Sequence, residues 1–127
     1  MMEAVLITLG GGLGALSRWL CSNLFNHLAT GRYPLGTFVV NMGGAFLIGF
    51  LTPFFRKEFF SHQARLFLIV GFLGGFTTFS SYMLECLESL ERGEPGKTLA
   101  YIGASTILGL LMVVAGLYAG KVVASRI

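Results

Sequence analysis

The sequence contains no aspartate, and only 12% of its 127 residues are charged. Soluble domains carry about 25% charged residues, whereas this chain is 54% hydrophobic and has a mean hydropathy of +0.76. The formal net charge of +3 is spread over the ends of apolar segments, and no basic cluster is long enough to follow a nucleic-acid backbone. The composition therefore predicts an integral membrane protein whose basic residues meet lipid headgroups rather than nucleic acid.

Cysteine is scarce as well, and its placement excludes two kinds of site. Cys21 and Cys86 are lone residues in apolar surroundings, which argues against a disulfide framework and against a metal cluster of side chains. We also find no nucleophile–base pair and no phosphate-binding loop, so we do not expect an enzyme. The start of the chain carries Glu3 and no basic region, so we expect the first apolar segment to be retained rather than cleaved.

Four apolar segments dominate the chain, at residues 4–25, 35–55, 66–90 and 99–123. Each is long enough to cross the roughly 30 Å hydrocarbon core of a bilayer. The sequence thus predicts one all-α transmembrane domain over residues 1–127, with a short polar loop at residues 26–34 and with Pro53 and then Arg56, Lys57 and Glu58 ending the second span. Gly10 with Gly14, and Gly116 with Gly120, form small-xxx-small faces for close helix packing. We expect these faces to find no partner inside one four-helix chain.

The third segment contains the stretch around which the chain is organised, GFLGGFTTFSSYMLE at residues 71–85. Its glycines weaken a helix, and the hydroxyl side chains that follow compete for backbone hydrogen bonds. These hydroxyl residues are Thr77, Thr78, Ser80 and Ser81. A polar, breakable stretch at membrane depth survives only where protein surrounds it or where it lines a wet cavity. We therefore expect the third helix to break near its middle and to form part of a permeation or binding site.

Other spans carry isolated polar residues that have two interpretations each. Asn41 is either a pore residue or interhelical glue worth about 0.6 kcal/mol. Arg18, beside Trp19 at a span end, is either a ligand-binding residue or a side chain that reaches the interface. Phe72, Phe76 and Phe79 follow helical spacing and predict one aromatic line. Taken together with hydroxyl donors such as Ser81, the positive edges of these rings suit a small, strongly hydrated anion.

Basic residues give almost no orientation signal. Four spans would place five of the nine Lys and Arg residues on one side of the membrane and four on the other. The five are Arg56, Lys57, Arg65, Lys121 and Arg126, and the four are Arg18, Arg32, Arg92 and Lys97. Because a surplus of Lys and Arg normally marks the cytoplasmic side, this balance favours insertion in both orientations followed by antiparallel pairing.

Several of these motifs together resemble the small fluoride channels of bacteria, the Fluc (CrcB) family. The resemblance rests on GGGLGALSRW, GTFVVN, GFLGGFTTFSSYMLE and a Tyr-xxx-Ser pair in the fourth segment. It implies a dual-topology antiparallel homodimer with two fluoride pores, in the inner (cytoplasmic) membrane. The residues that it assigns to the pore are Asn41, Phe79, Tyr82, Ser81, Thr37, Glu85, Tyr101 and Ser105. It also places Arg18 near a vestibule, and gives the backbone carbonyls of Gly74 and Thr77 to a structural Na+ ion at the dimer centre.

One position departs from the family pattern. The family usually reads TTFSTF where this chain reads TTFSSY, so Tyr82 replaces the second phenylalanine of the aromatic pair. Its ring edge remains available, and a hydroxyl is added.

Two other functions stay open at the level of sequence. A small proton-coupled multidrug transporter has the same length and four spans, but it relies on a carboxylate inside the first segment, where this chain has only Glu3 at the edge. A non-transporting membrane scaffold would also use glycine-rich helices, yet it gives the polar stretch of the third segment no purpose. Fluoride efflux from liposomes separates these functions.

Overall fold

The computed structural model describes residues 1–29 and 34–127, and all regular structure in this part of the chain is helical. The helices are α1 (Met2–Leu28), α2 (Leu35–Arg56), α3 (His62–Arg65), a π-helix (Leu66–Leu73), α4 (Gly74–Phe76), α5 (Phe79–Glu91) and α6 (Pro95–Ala124). Four stretches of the described chain are long and apolar enough to cross a membrane: α1, α2, α6 and the third span, His62–Glu91. The predicted all-α class with four potential spans is confirmed.

One predicted boundary is wrong. α1 continues through Asn26 and His27 to Leu28, so the first residues of the predicted loop are helical. The Asn26 side chain accepts a hydrogen bond from the Gly36 N–H at 2.8 Å and thereby ties the end of α1 to the start of α2. The rest of that predicted loop, with Arg32, lies at residues 30–33 and outside the described residues.

The second span ends at Arg56, where the charged run begins, as the sequence predicts, but Pro53 does not interrupt the helix. It is buried inside α2, which continues to Arg56. A proline removes the hydrogen bond that its own N–H would have made, but its carbonyl still accepts. The Lys57 N–H donates to the Pro53 carbonyl at 3.1 Å, so the last turn stays helical.

Glycines bring the spans together as two close pairs, which we call the glycine seams. In the first seam, α1 meets the third span, and a Cβ atom at Gly14 would fall within 3 Å of backbone atoms of Phe72 and Phe76. In the second seam, α2 meets α6, where a Cβ atom at Gly116 would strike the carbonyl of Phe46. The expectation that the glycine faces lack partners within one chain is therefore wrong. Small residues permit this backbone contact, which supplies the van der Waals packing that holds membrane helices together.

The outer faces of the helices carry large apolar side chains. On α1 these include Leu9, Leu13, Leu16, Leu20 and Leu24, each more than half exposed. The buried apolar core of the described residues is small, and Val40 and Leu73 are among its members. This inside-out distribution suits a chain that is surrounded by lipid, since hydrocarbon does not penalise exposed leucine.

The first glycine seam yields a matched pair of substitutions. We expect Gly14→Ala to lower the free energy of unfolding by roughly 1–3 kcal/mol, because its Cβ overpacks the backbone of the third span. At Gly12 no atom lies within 4 Å of the position of a new Cβ. Gly12→Ala should therefore raise the free energy of unfolding by about 1 kcal/mol, because alanine favours a helix more than glycine does. Denaturant titration of both variants in detergent, followed by circular dichroism, measures the difference. Equal stabilities would contradict the close contact at Gly14.

Candidate functional site

The third span changes backbone conformation at Thr77 and Thr78, which we call the extended pair. Their ψ angles are 156° and 119°, both in the extended region. The Thr77 hydroxyl donates to the Leu73 carbonyl at 3.0 Å, at the end of the preceding helix. The Thr78 side chain caps the following helix, because its Oγ1 accepts from the Ser81 N–H at 3.2 Å. Each threonine therefore finishes one of the two helical halves.

Asn41 of α2 pairs with the backbone of Thr78. Its Oδ1 accepts from the Thr78 N–H at 2.8 Å, and its Nδ2 donates to the Thr78 carbonyl at 3.0 Å. Both polar groups of an extended residue at membrane depth are thereby satisfied by one side chain. The interpretation of Asn41 as interhelical glue is correct as far as it goes, and one N–H of its amide has no partner among the described residues.

This pairing changes the hydrogen bonding of the carbonyls that precede it. In an uninterrupted helix the Thr78 N–H would donate to the Gly74 carbonyl, but here it donates to Asn41. The Thr77 carbonyl accepts no hydrogen bond from any residue in the described ranges. Gly74 is also exposed on the surface of the chain. The Gly74 and Thr77 oxygens are thus left without helical partners, and oxygen atoms of this kind are ligands for hard cations.

The aromatic residues divide at the extended pair. Phe72 and Phe76 stack before it, with ring centroids 5.8 Å apart. Phe79 instead pairs edge to face with Tyr82 at 5.9 Å, and Tyr82 pairs edge to face with Tyr101 at 4.9 Å. The predicted continuous line through Phe72, Phe76 and Phe79 is therefore wrong, because helical spacing does not hold across two extended residues.

Exposure distinguishes the two rings of the Phe79–Tyr82 pair. Phe79 is 73% exposed, whereas Tyr82 is 8% exposed and lies between Phe79 and Tyr101. The Tyr82 hydroxyl lies near that of Ser105 on α6. Phe79 thus lies at the outside of the chain, and Tyr82 supports it from within.

Glu85 of α5 joins three helices. Its Oε1 accepts from the Thr37 hydroxyl at 2.5 Å, and its Oε2 accepts from the Tyr101 hydroxyl at 2.8 Å. Two spans thereby donate to one carboxyl group, so Glu85 links α2 and α6 through α5. Thr37 and Tyr101 have committed their hydroxyl protons to Glu85, so in this conformation they have none to offer a passing anion.

A groove with a volume of about 400 Å³ opens beside the extended pair. Asn41, Gly74, Thr77 and Phe79 contribute to its lining, together with apolar side chains of α2 and the π-helix. The groove lies open along the surface of the chain rather than enclosed within it. The polar groups at membrane depth therefore face a space that a single copy of this chain does not close.

The predicted site residues fall into three places. Asn41, Gly74, Thr77 and Phe79 line the groove. A second group lies deeper between α2, α5 and α6, and comprises Thr37, Tyr82, Glu85, Tyr101 and Ser105. Arg18 is apart from both, on α1, where its Nε is buried without a hydrogen-bond partner among the described residues.

Ser81 and Thr78 complete the polar lining. Thr78 Oγ1 donates to Ser81 Oγ at 3.1 Å, which leaves the Ser81 proton free among the described residues. Sequence reasoning placed Thr78 on the polar line of the third span but gave it no assigned role in the pore, although it occupies the centre of the hydrogen-bond network. The available signal was its position: a threonine directly before a new helix is a favoured cap.

Comparison with known proteins identifies the chain's relatives. The sequence profile of the family described as CrcB-like protein, Camphor Resistance (CrcB), matches residues 5–117. The chain belongs to this family.

Similar proteins carry the name fluoride-specific ion channel FluC. One from Bacteroides fragilis is 43% identical over 124 residues, covering 95% of this chain and 98% of the relative. Another, from Agrobacterium fabrum, is 40% identical over 122 residues, covering 95% of this chain and 98% of the relative. A third, from Rhizobium meliloti, is 44% identical over 118 residues, covering 92% of this chain and 94% of the relative. The resemblance drawn from the sequence motifs is confirmed.

The pairing of Asn41 with Thr78 predicts a local loss of protection. Asn41→Leu leaves a buried N–H and carbonyl unpaired, at a cost of roughly 2–4 kcal/mol in the free energy of unfolding, and should speed hydrogen exchange at the Thr78 amide. Thr52→Val is the matched control, because it removes a local bond to the Ile48 carbonyl within α2 and should cost under about 0.5 kcal/mol. Exchange monitored by nuclear magnetic resonance reports the Thr78 amide directly. Unchanged exchange there in Asn41→Leu would contradict the assigned pairing.

Proposed function

We propose that this CrcB-family chain forms a passive, fluoride-selective channel that exports fluoride across the cytoplasmic membrane and so confers resistance to fluoride. The observation that carries the proposal is its 40–44% identity, over nearly the full length, to relatives named as fluoride-specific ion channels. A negative-inside membrane potential drives an anion outwards by about 2.3 kcal/mol per 100 mV. Export by this route needs no coupled proton.

The chemistry of the groove supports an anion as the permeating species. Phe79 presents an exposed ring edge beside the extended pair, and such edges carry partial positive charge. The second N–H of Asn41 and the free proton of Ser81 are neutral donors close by. Weak donors of this kind replace part of the hydration of a small anion without holding it as tightly as a fixed cation would.

The deeper residues continue the proposed path. We assign Thr37, Tyr82, Glu85, Tyr101 and Ser105 to a polar line between α2, α5 and α6, and Arg18 to a vestibule at the pore mouth. The hydrogen bonds from Thr37 and Tyr101 to Glu85 support the first assignment, since they form a continuous polar strip between three helices. In this scheme Glu85 orders the hydroxyl groups of its neighbours and is not itself a ligand of fluoride.

The functional unit in this proposal is an antiparallel homodimer with two pores, embedded in the inner membrane. The open groove, the exposed Phe79 and the neighbouring exposed apolar residues Ile48 and Val70 support a second copy as the element that closes the site. The balance of five to four in Lys and Arg supports insertion in both orientations.

A structural Na+ ion fits the backbone carbonyls of Gly74 and Thr77. Gly74 and Thr77 present oxygens that lack helical partners, and Gly74 is exposed, where a second copy would contribute the same two atoms. Bound there, the ion would neutralise carbonyl dipoles at membrane depth and hold the two copies together. The chain must keep Thr77 and Thr78 in the extended conformation for these carbonyls to stay free. The hydrogen bonds between Asn41 and Thr78 do this.

Nothing in the site favours a proton-coupled transporter. The only carboxylate of α1 is Glu3, in its first turn, where it pairs with exposed His62 at 3.3 Å.

Fluoride efflux tests the proposed function. Purified protein in liposomes loaded with potassium fluoride should release fluoride rapidly when valinomycin supplies a path for potassium, and should release chloride at least a hundred times more slowly. A fluoride electrode and a chloride electrode measure the two fluxes. Equal fluxes of the two anions, or fluoride efflux that requires a pH gradient, would contradict a passive selective channel.

Substitutions at the aromatic pair sharpen the same assay. Phe79→Ile removes the exposed edge and should lower fluoride efflux most, whereas Tyr82→Phe keeps the buried ring and should preserve it. Tyr82→Ile is the matched control, because it removes the ring that supports Phe79 and should lie between the two. A large loss in Tyr82→Phe with dimer size unchanged would show that the hydroxyl, rather than the ring edge, acts on fluoride.

Orientation locking tests the antiparallel dimer. Three arginines added near residues 92–97 should bias insertion one way, and a variant with three arginines near residues 56–65 should insert the other way. Each variant expressed alone should fail to protect cells from fluoride, and co-expression should restore protection. Full protection by one locked variant, with its orientation verified by cysteine labelling, would contradict antiparallel pairing.

A further inference from the structure

The C-terminal ends of α2 and α6 place three basic side chains beside a shallow groove. Arg56 and Lys57 close α2, and Lys121 lies in the last turns of α6. The groove has a volume of about 180 Å³ and is lined by these three residues together with Pro53 and Leu117. The exposed lining of this groove is apolar, so the basic side chains contribute their aliphatic stems to it rather than their charged ends.

These three cations have no acidic partner within the described residues. Lys57 donates to the Ala124 carbonyl at 2.9 Å, which fixes its ammonium group between the two helix ends. The nearby Glu3 is already paired with His62. Glu58 directly follows Lys57 in the sequence, but three cations line the groove against this one carboxylate, so a local excess of positive charge remains.

The opposite end of the molecule provides the contrast. There Arg92 and Lys97 both contact Glu94, at 3.6 Å and 2.6 Å. The hydrogen bond from Lys97 holds the pKa of Glu94 below its ordinary value, so this carboxylate stays ionised and balances its neighbours. Arg92 and Lys97 are thus paired with a carboxylate within the chain, whereas Arg56, Lys57 and Lys121 are not.

The unbalanced cluster lies at the depth of lipid headgroups. α6 has 30 residues and so extends about 45 Å, well beyond the roughly 30 Å of the hydrocarbon core. Tyr118 is 64% exposed and lies one turn before Lys121, whose ammonium is 5.5 Å from the ring centroid. Exposed tyrosine is favoured at the membrane interface, which places Lys121 among the phosphates.

We propose that this groove binds the headgroup of an anionic phospholipid. The guanidinium of Arg56 and the ammonium groups of Lys57 and Lys121 donate to the phosphodiester oxygens, and Pro53 and Leu117 contact the first carbons of an acyl chain. Basic pockets between spans at the membrane surface are suited to this chemistry. The site is separate from the proposed pore and does not depend on what the protein transports.

Native mass spectrometry of the full chain in detergent tests the proposal. The probes are phosphatidylglycerol, phosphatidylcholine with the same acyl chains, and inorganic phosphate. Phosphatidylglycerol should bind preferentially, and the Arg56→Gln/Lys121→Gln double variant should weaken its binding roughly thirtyfold, from the usual gain per basic residue near an anionic surface. Arg92→Gln/Lys97→Gln, which also removes one arginine and one lysine, is the matched control and should retain wild-type binding.

Three results would overturn the proposal: equal binding of the two lipids, equal loss in the two double variants, or displacement of phosphatidylglycerol by millimolar inorganic phosphate. The last result would mean that the groove recognises free phosphate rather than lipid. If the Arg56→Gln/Lys121→Gln protein fails to fold, the single variants replace it, each with an expected loss of about fivefold. Unchanged binding in both single variants would likewise overturn the site.

Discussion

The amide of Asn41 and the backbone of Thr78 form the interaction on which the rest of the structure depends. A backbone that leaves helical geometry inside a bilayer exposes polar groups that hydrocarbon cannot satisfy. Asn41 supplies both the acceptor and the donor that Thr78 needs. Because this satisfies the extended residue, the third span can turn its glycine-rich half towards α1 and its carboxylate-bearing half towards α2 and α6.

The two halves of the third span, on either side of Thr77 and Thr78, are held in place by different interactions. The first half packs through Gly71 and Gly75 against the backbone of α1, which fixes its position by shape. The second half is fixed by hydrogen bonds, since Glu85 accepts from both Thr37 and Tyr101. The groove lies where the two kinds of packing meet, and its polar atoms remain available because neither half covers them.

The sequence predicted those features that depend on neighbouring residues. Length and hydropathy located four spans to within a few residues, and the threonines and glycines of residues 71–85 identified the polar stretch of the third span. The sequence did not predict the contacts that depend on the register between helices. Asn41 and Thr78 are hydrogen-bonded although 37 residues separate them in the sequence. The residues around an isolated asparagine do not indicate which hydroxyl or backbone group on another helix it will contact. Helical spacing likewise failed for Phe79, because it assumes a helix through the extended pair.

The glycine seams divide each helix into two faces that obey different rules of substitution. At Gly14 and Gly116 the neighbouring atoms are backbone, so the restriction is on volume, and alanine is excluded as firmly as serine. On the outer face of α1, residues such as Leu13 and Leu20 are more than half exposed, and there the main restriction is on polarity. Leucine, isoleucine, valine and phenylalanine are interchangeable on that face. The sequence can therefore drift widely on its lipid side while the spacing between its helices stays fixed.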